Sequence, residues 1–150
     1  EGFELSGSYD AGPVFAEWAG TYYSDFSFCR TKATCASATV SADYAVNQMP
    51  PEYTASLTLG ARAFKDRLSF GGRVNRVGKR LTPITQTERM RTGYWLPYTV
   101  VDAFATVAVT KIVSLDLRAE NLTDEYYVDA LDGWTPAPGR TLRASLTAKF

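Results

Sequence analysis

The segment of residues 80–97 contains the side chains of this sequence that are best suited to binding chemistry. It sets Arg89 and Arg91 beside Tyr94 and Trp95. A guanidinium forms charge-assisted hydrogen bonds with anions, and Arg, Tyr and Trp often dominate binding surfaces. We therefore predict Arg89, Arg91, Tyr94 and Trp95 as candidate ligand-binding residues.

Catalytic chemistry has little support in the composition. The 150 residues include no histidine, which removes Ser-His-Asp and Cys-His catalysis, and two cysteines are too few for the common zinc sites. The 16 carboxylates do not occupy a recognisable catalytic frame. A formal net charge of zero gives no general attraction to nucleic acid. We expect neither an enzyme, nor a metal site, nor a nucleic-acid partner.

Apolar and polar residues alternate along the chain, and a period of two is typical of a β-strand with one apolar face. In the last stretch, Leu142, Ala144, Leu146, Ala148 and Phe150 interleave with polar residues. No helical period of comparable strength occurs. The pattern predicts seven strands, within residues 3–9, 14–26, 52–64, 67–78, 98–110, 114–122 and 141–150.

The apolar face of these strands could lie in a soluble core or against lipid. Short connections (DAGP, KDR and TKI) alternate with long ones, as in outer-membrane barrels. The opposite face is charged on most strands, as in the lumen of a wide barrel, at Glu4, Glu17, Arg62, Arg73, Asp102, Asp116, Arg118, Glu120, Arg143 and Lys149. A soluble antiparallel sandwich with a solvated charged face would show the same alternation. The periodicity favours a barrel and leaves the sandwich open.

Aromatic residues collect near the long connections and predict an interfacial girdle there. They are Tyr22, Tyr23, Phe26, Phe28, Tyr53, Tyr98, Tyr126 and Tyr127. No apolar run approaches the roughly 18 residues of a membrane-spanning helix.

The last third of the chain carries an ordered set of motifs. A Tyr-x-Val-x-Asp strand start at Tyr98 precedes a Glu-Asn-Leu-x-Asp-x-Tyr-Tyr segment at Glu120, a Pro-Gly-Arg turn at Pro138 and a terminal Phe150. In this order they resemble the C-terminal end of TonB-dependent outer-membrane receptors. The resemblance implies that Phe150 is the terminal aromatic residue recognised by the barrel-assembly machinery.

The resemblance also implies the architecture and the location. It identifies the chain as about seven C-terminal strands of an all-β, antiparallel transmembrane β-barrel of about 22 strands. The plug domain and the TonB-contacting box would lie outside this chain. The expected location is the bacterial outer membrane, in contact with its lipid, with the C-terminus on the periplasmic side.

Within that family, the segment from Asp25 to Phe64 is most similar to haem and haemophore receptors. It contains a cysteine pair and a Pro-Pro-Glu-Tyr strand start. This likeness implies TonB-coupled uptake of haem or another iron source, delivered in one variant by a haem-carrying protein. Haem would be a transported ligand and not a cofactor of this chain, and its histidine ligands would lie elsewhere. A siderophore receptor, a passive porin and a soluble binding module remain alternatives.

Two predictions follow for the long connections. Cys29 and Cys35 bracket five residues at an expected cell-surface location, so we predict a disulfide, with free thiols or another pairing as alternatives. Arg89, Arg91, Tyr94 and Trp95 would contact the haem propionates and ring, or a protein partner. The alternative is that Tyr94 and Trp95 anchor this connection at the outer interface while the arginines stay solvated.

Overall fold

The computed structural model describes residues 1–24, 50–79, 96–129 and 135–149. Seven strands occupy these ranges, and each lies within a few residues of a predicted stretch. They are β1 (Gly2–Asp10), β2 (Val14–Tyr23), β3 (Tyr53–Ala63), β4 (Leu68–Val77), β5 (Tyr98–Ala108), β6 (Val113–Glu120) and β7 (Thr141–Ala148). None of the described ranges contains a helix of the length and apolarity that crossing a membrane requires.

The seven strands form one antiparallel sheet in which spatial order equals chain order, from β1 to β7. Every neighbouring pair is therefore a hairpin, and short connections (after β1, β3 and β5) alternate with long ones (after β2, β4 and β6). A sandwich would divide the strands between two packed sheets. The described strands do not divide in this way, so the sandwich alternative is wrong for this part of the chain.

The strand register carries the alternation of the sequence across the whole sheet. Ala144 pairs with Leu117, Leu117 with Ala105, Ala105 with Phe70, and Phe70 with Ala61. Because side chains alternate between faces along each strand, all such rows fall on one side. We call the side that contains this row the apolar face and the other side the polar face.

The apolar face has no covering layer among the described residues. Leu142 and Leu146 on β7 are 78% and 69% exposed, and Phe3 and Leu5 on β1 are 65% and 64% exposed. Apolar side chains of this kind are normally buried in a soluble protein. Their exposure is what the wall of a membrane barrel requires, since lipid replaces the missing layer.

The two faces have informative exceptions. Arg76 lies on the apolar face, where its register partners are Ala55 and Thr99. Conversely, Phe15 and Phe104 lie on the polar face, with ring centroids 6.4 Å apart.

The two phenylalanines are accommodated by a pair of glycines between them. Gly60 and Gly71 pair across β3 and β4, directly between Phe15 and Phe104 in the register. A Cβ on Gly71 would meet the carbonyl oxygen of Leu59 and lie 2.8 Å from the Cα of Gly60. A Cβ on Gly60 or Gly71 would also overlap the ring of Phe15 or Phe104, so the two glycines leave the space that the rings occupy.

The short turn between β1 and β2 is fixed by local polar contacts. Asp10 accepts a 2.8 Å hydrogen bond from the backbone N–H of Gly12 and forms two 2.8 Å bonds with the guanidinium of Arg62. The same guanidinium lies 4.7 Å from the centroid of the Phe15 ring. These contacts join the β1–β2 turn to β3 on the polar face.

Among the described residues, the aromatic residues near the long connections do not all lie on one face as a single girdle requires, and Phe26 and Phe28 lie outside the described residues. Tyr22 and Tyr53 lie on the apolar face as expected, and Tyr22 is 5.5 Å from Phe3 between ring centroids. Tyr98 instead lies on the polar face and stacks on Tyr127. For these two tyrosines the girdle prediction is wrong, because alternation along β5 turns Tyr98 away from the apolar side.

Candidate functional site

The connection between β6 and β7 folds back over the polar face and packs against it. Tyr127 stacks on Tyr98 with 4.3 Å between ring centroids. Tyr98, Val100 and Val128 are the buried hydrophobic residues of the described chain, at 8%, 6% and 5% exposure. A bridge between Val128 and Pro136 closes this connection on itself. The small core of the sheet therefore lies under this connection.

The side chain and backbone of Asn121 hold the connection between β6 and β7 in place through hydrogen bonds. Its side-chain oxygen accepts a 2.9 Å bond from the N–H of Glu125, while Nδ2 donates to the carbonyl oxygens of Glu125 at 2.9 Å and Pro138 at 3.3 Å. Its own N–H donates to Oδ1 of Asp102 at 2.9 Å. Asn121 is only 2% exposed and has a φ of 51°, a left-handed conformation that asparagine tolerates better than most residues.

Asp124 forms a second set of hydrogen bonds in this connection. Its Oδ1 accepts a 2.9 Å hydrogen bond from the N–H of Arg140, and its own N–H donates to the carbonyl of Asn121 at 2.9 Å. A Cβ at position 139 would lie 2.8 Å from Asp124 Oδ1, so a larger residue there would require this carboxylate to shift. We call Asp102, Asn121, Asp124, Glu125 and the turn of residues 138–140 the Asn121 cluster.

The Asn121 cluster explains why the sequence motifs occur together. Asp102 belongs to the strand-start motif, Asn121 and Asp124 to the second motif, and Gly139 to the turn motif. These residues are distant in sequence, but the antiparallel pairing of β5, β6 and β7 brings them together. The three motifs thus supply one set of hydrogen bonds that satisfies the backbone groups of this irregular connection.

Beside this cluster the polar face forms a concave space of about 880 Å³ with charges of both signs. Arg143 and Glu120 form an ion pair at 3.0 Å. Arg73 donates to the hydroxyl of Thr58 at 3.1 Å and is the register partner of Asp102. This surface is suited to water, ions or a polar protein surface, and the described residues hold no group of side chains arranged for a metal ion.

The phenol of Tyr127 lies in this environment, outside the strands. Burial raises its pKa above the ordinary value, and the carboxylates of Asp129, Asp102 and Glu120 add to the effect. The hydroxyl therefore stays protonated to higher pH than that of an exposed tyrosine.

All the site residues predicted from the sequence lie outside the described residues. This holds for Arg89, Arg91, Tyr94 and Trp95, for Cys29 and Cys35, and for Phe150. Their roles stay predictions. Sequence reasoning also overlooked Arg76, although the alternation of Leu68, Phe70, Gly72 and Val74 continues directly onto it.

No family model matches the sequence. A hemophilin receptor from Acinetobacter baumannii is 29% identical over 117 residues, which cover 71% of this chain and 11% of the receptor. The chain therefore spans only a small part of that relative's length.

Solved structures share the fold of the chain. A crystal structure of the ferric enterobactin receptor from Pseudomonas aeruginosa matches with a TM-score of 0.68 at 22% identity, covering 99% of this chain and 22% of the receptor. The FpvAI–pyocin S2 complex matches with a TM-score of 0.64 at 17% identity, covering 99% and 19% of the respective chains.

The sequence and fold comparisons agree. Both lead to receptors and not to enzymes, in agreement with the prediction from composition. The single meandering sheet, with its apolar and charged faces, is the barrel wall that those receptors share. The resemblance predicted from the motifs is thus confirmed: the chain is similar in sequence to a hemophilin receptor and shares its fold with ferric enterobactin receptors.

Proposed function

We propose that the chain is the C-terminal part of the barrel wall of an outer-membrane receptor that takes up haem, delivered by a protein partner, with energy coupled through TonB. The 29% identity to a hemophilin receptor over most of the chain is the observation that carries this proposal. The structure supports the assignment of the chain to a barrel wall, because one face of the sheet is apolar and exposed while the other is charged.

The orientation follows from the connections. Outer-membrane barrels have short periplasmic turns and long extracellular connections. The turns after β1, β3 and β5 are the short ones, so they and the C-terminus lie in the periplasm. In the described sheet β1 and β7 each pair on one side only. Because open sheet edges are not tolerated in lipid, we infer that further strands complete a barrel of about 22 around a plug domain.

Ligand capture is assigned to the long connection that contains Arg89, Arg91, Tyr94 and Trp95. Replacing Arg89, Arg91 and Trp95 together should weaken equilibrium binding of haem or of its carrier to the full-length receptor. The matched control replaces Arg73, a cation of the polar face, with glutamine. Unchanged binding by the triple variant at fixed salt would assign this connection to scaffolding.

A siderophore receptor of the same family is the alternative. It is favoured by the fold likeness to a ferric enterobactin receptor, although 22% identity supports the fold alone. A passive porin is the third candidate. Its lumen would not be filled by a plug, so a plug domain in the same gene decides against it.

Growth on defined iron sources tests the proposal. A strain lacking the protein should fail to grow when haem, free or bound to its carrier, is the sole iron source, and should still grow on a ferric siderophore. Depleting TonB should reproduce the defect in the parent strain. Normal growth of the deletion strain on haem with loss of growth on one siderophore would support the alternative instead.

A further inference from the structure

Arg76 is the one charged side chain that the described strands place on the apolar face. The face otherwise carries aliphatic, aromatic, glycine and threonine residues. Arg76 is exposed, and none of the described carboxylates pairs with it. A charge on the lipid side of a barrel is costly at the middle of the bilayer and is tolerated near the interface. Its position therefore needs a chemical reason.

Two hydroxyl groups accept hydrogen bonds from this guanidinium. Nη1 donates to Oγ1 of Thr99 at 2.7 Å, and Nε donates to the hydroxyl of Tyr53 at 3.3 Å. A guanidinium has five N–H donors, of which these contacts use two. Each hydroxyl that accepts from Arg76 can still donate its own hydrogen. Arg76, Tyr53 and Thr99 thus present a fixed cation and several donors to an anion with many acceptor oxygens.

The height of this trio in the sheet identifies the source of the anion. Arg76 is next to Val77, the last residue of β4, at the end of the sheet that carries the long connections. Tyr22 and Phe3 continue an aromatic row from Tyr53 on the same face and at the same end. Aromatic rows mark the level at which apolar lipid meets the headgroups.

We propose that Arg76, Tyr53 and Thr99 form a binding site for the phosphate group of an anionic lipid in the outer leaflet. The proposal rests on the membrane position given under the proposed function. Charge complementarity selects the phosphate, and the location on the lipid-facing side selects a lipid over a soluble anion. The lipid would seat its headgroup on the trio and its chains along the apolar rows below.

Lipid retention by the full-length protein tests the site. The protein is purified in neutral detergent and titrated with bisphosphorylated lipid A, and bound lipid is measured by native mass spectrometry. Dephosphorylated lipid A with the same acyl chains is titrated in parallel. We expect the phosphorylated form to bind better, and Arg76→Gln to weaken its binding roughly ten-fold. Arg76→Lys should retain part of the binding, and Tyr53→Phe and Thr99→Val should each weaken it less than Arg76→Gln.

Arg118→Gln is the matched control because it removes the same charge from the polar face. It should leave lipid binding unchanged. Equal binding of the two lipid A forms, or equal loss in the Arg76 and Arg118 variants, would overturn the site while leaving the barrel wall in place. If inorganic phosphate competed for the site as effectively as the phosphorylated lipid, the assignment of the ligand as a lipid would be overturned. A protein that stays folded and soluble without detergent would overturn the membrane position and the site with it.

Discussion

Asn121 offers a direct test of how the connection between β6 and β7 is held. Its side chain makes three hydrogen bonds to backbone groups of Glu125 and Pro138, and it is 2% exposed. Asn121→Ala removes all three, and the hydrogen bonds that are lost lie in a partly buried region. At roughly 1 kcal/mol for each, with less for the 3.3 Å bond, the loss is about 2–3 kcal/mol. Alanine at a φ of 51° adds about 1 kcal/mol of strain.

A glycine variant separates these two costs. Asn121→Gly loses the same hydrogen bonds but adopts the left-handed conformation freely, so it should be less destabilised than Asn121→Ala by about 1 kcal/mol. The control is Asn75→Ala, which removes the same atoms from the polar face at a residue with no side-chain hydrogen bond among the described contacts.

Hydrogen exchange of residues 121–129 and 135–140 in the full-length protein measures the local opening. The alanine variant should lose protection there by roughly a hundred-fold, and the glycine variant by several-fold less. Protection in Asn121→Ala equal to that of the Asn75 control would refute the role of these hydrogen bonds. Faster exchange in the glycine variant than in the alanine variant would refute the strain argument.

Three further predictions concern the faces of the sheet and the long connections. Leu146→Arg should lower the folding yield in lipid vesicles far more than Thr147→Arg, because arginine on the lipid side costs about 2–4 kcal/mol near the bilayer centre; equal yields would contradict the assignment of the faces. Gly71→Ala should destabilise the barrel by about 1–3 kcal/mol through its clash with the backbone of β3, whereas Gly20→Ala, which has room, should be neutral in urea unfolding. The two cysteines should resist alkylation in unreduced protein by mass spectrometry, and two alkylated thiols would reject the disulfide.

The strands and their faces could be predicted because a period of two is a local property. Side chains at Leu115 and Leu146 meet across β6 and β7 simply because both lie on the apolar face in register. The exceptions also follow from alternation, since Arg76 continues the apolar series of β4. What alternation could not reveal is the reason for an exception, because the hydroxyls of Tyr53 and Thr99 come from the two neighbouring strands.

The Asn121 cluster shows where local reasoning ends. The motif predicted a family, but the left-handed conformations at Asn121 and Asp124 have no periodic signature. The hydrogen bond from Arg140 to Asp124 spans 16 residues and depends on the hairpin of β6 and β7 being formed. Tyr98 was misassigned for the same reason, because its position near a long connection suggested an interface while its stacking partner lies on the polar side.

The tied connection also constrains how such a receptor could open. Tyr127 stacks on Tyr98, and Val128 of the same connection is buried, so the described part of the connection between β6 and β7 is packed on the polar face. Releasing it would break the hydrogen bonds of Asn121 and expose the small core that the polar face possesses. For the receptor function proposed above, we therefore expect that a motion admitting ligand at low energetic cost uses other connections. That division agrees with the assignment of ligand capture to residues 80–97, and exchange protection at Ala137 that does not change on ligand addition would support it.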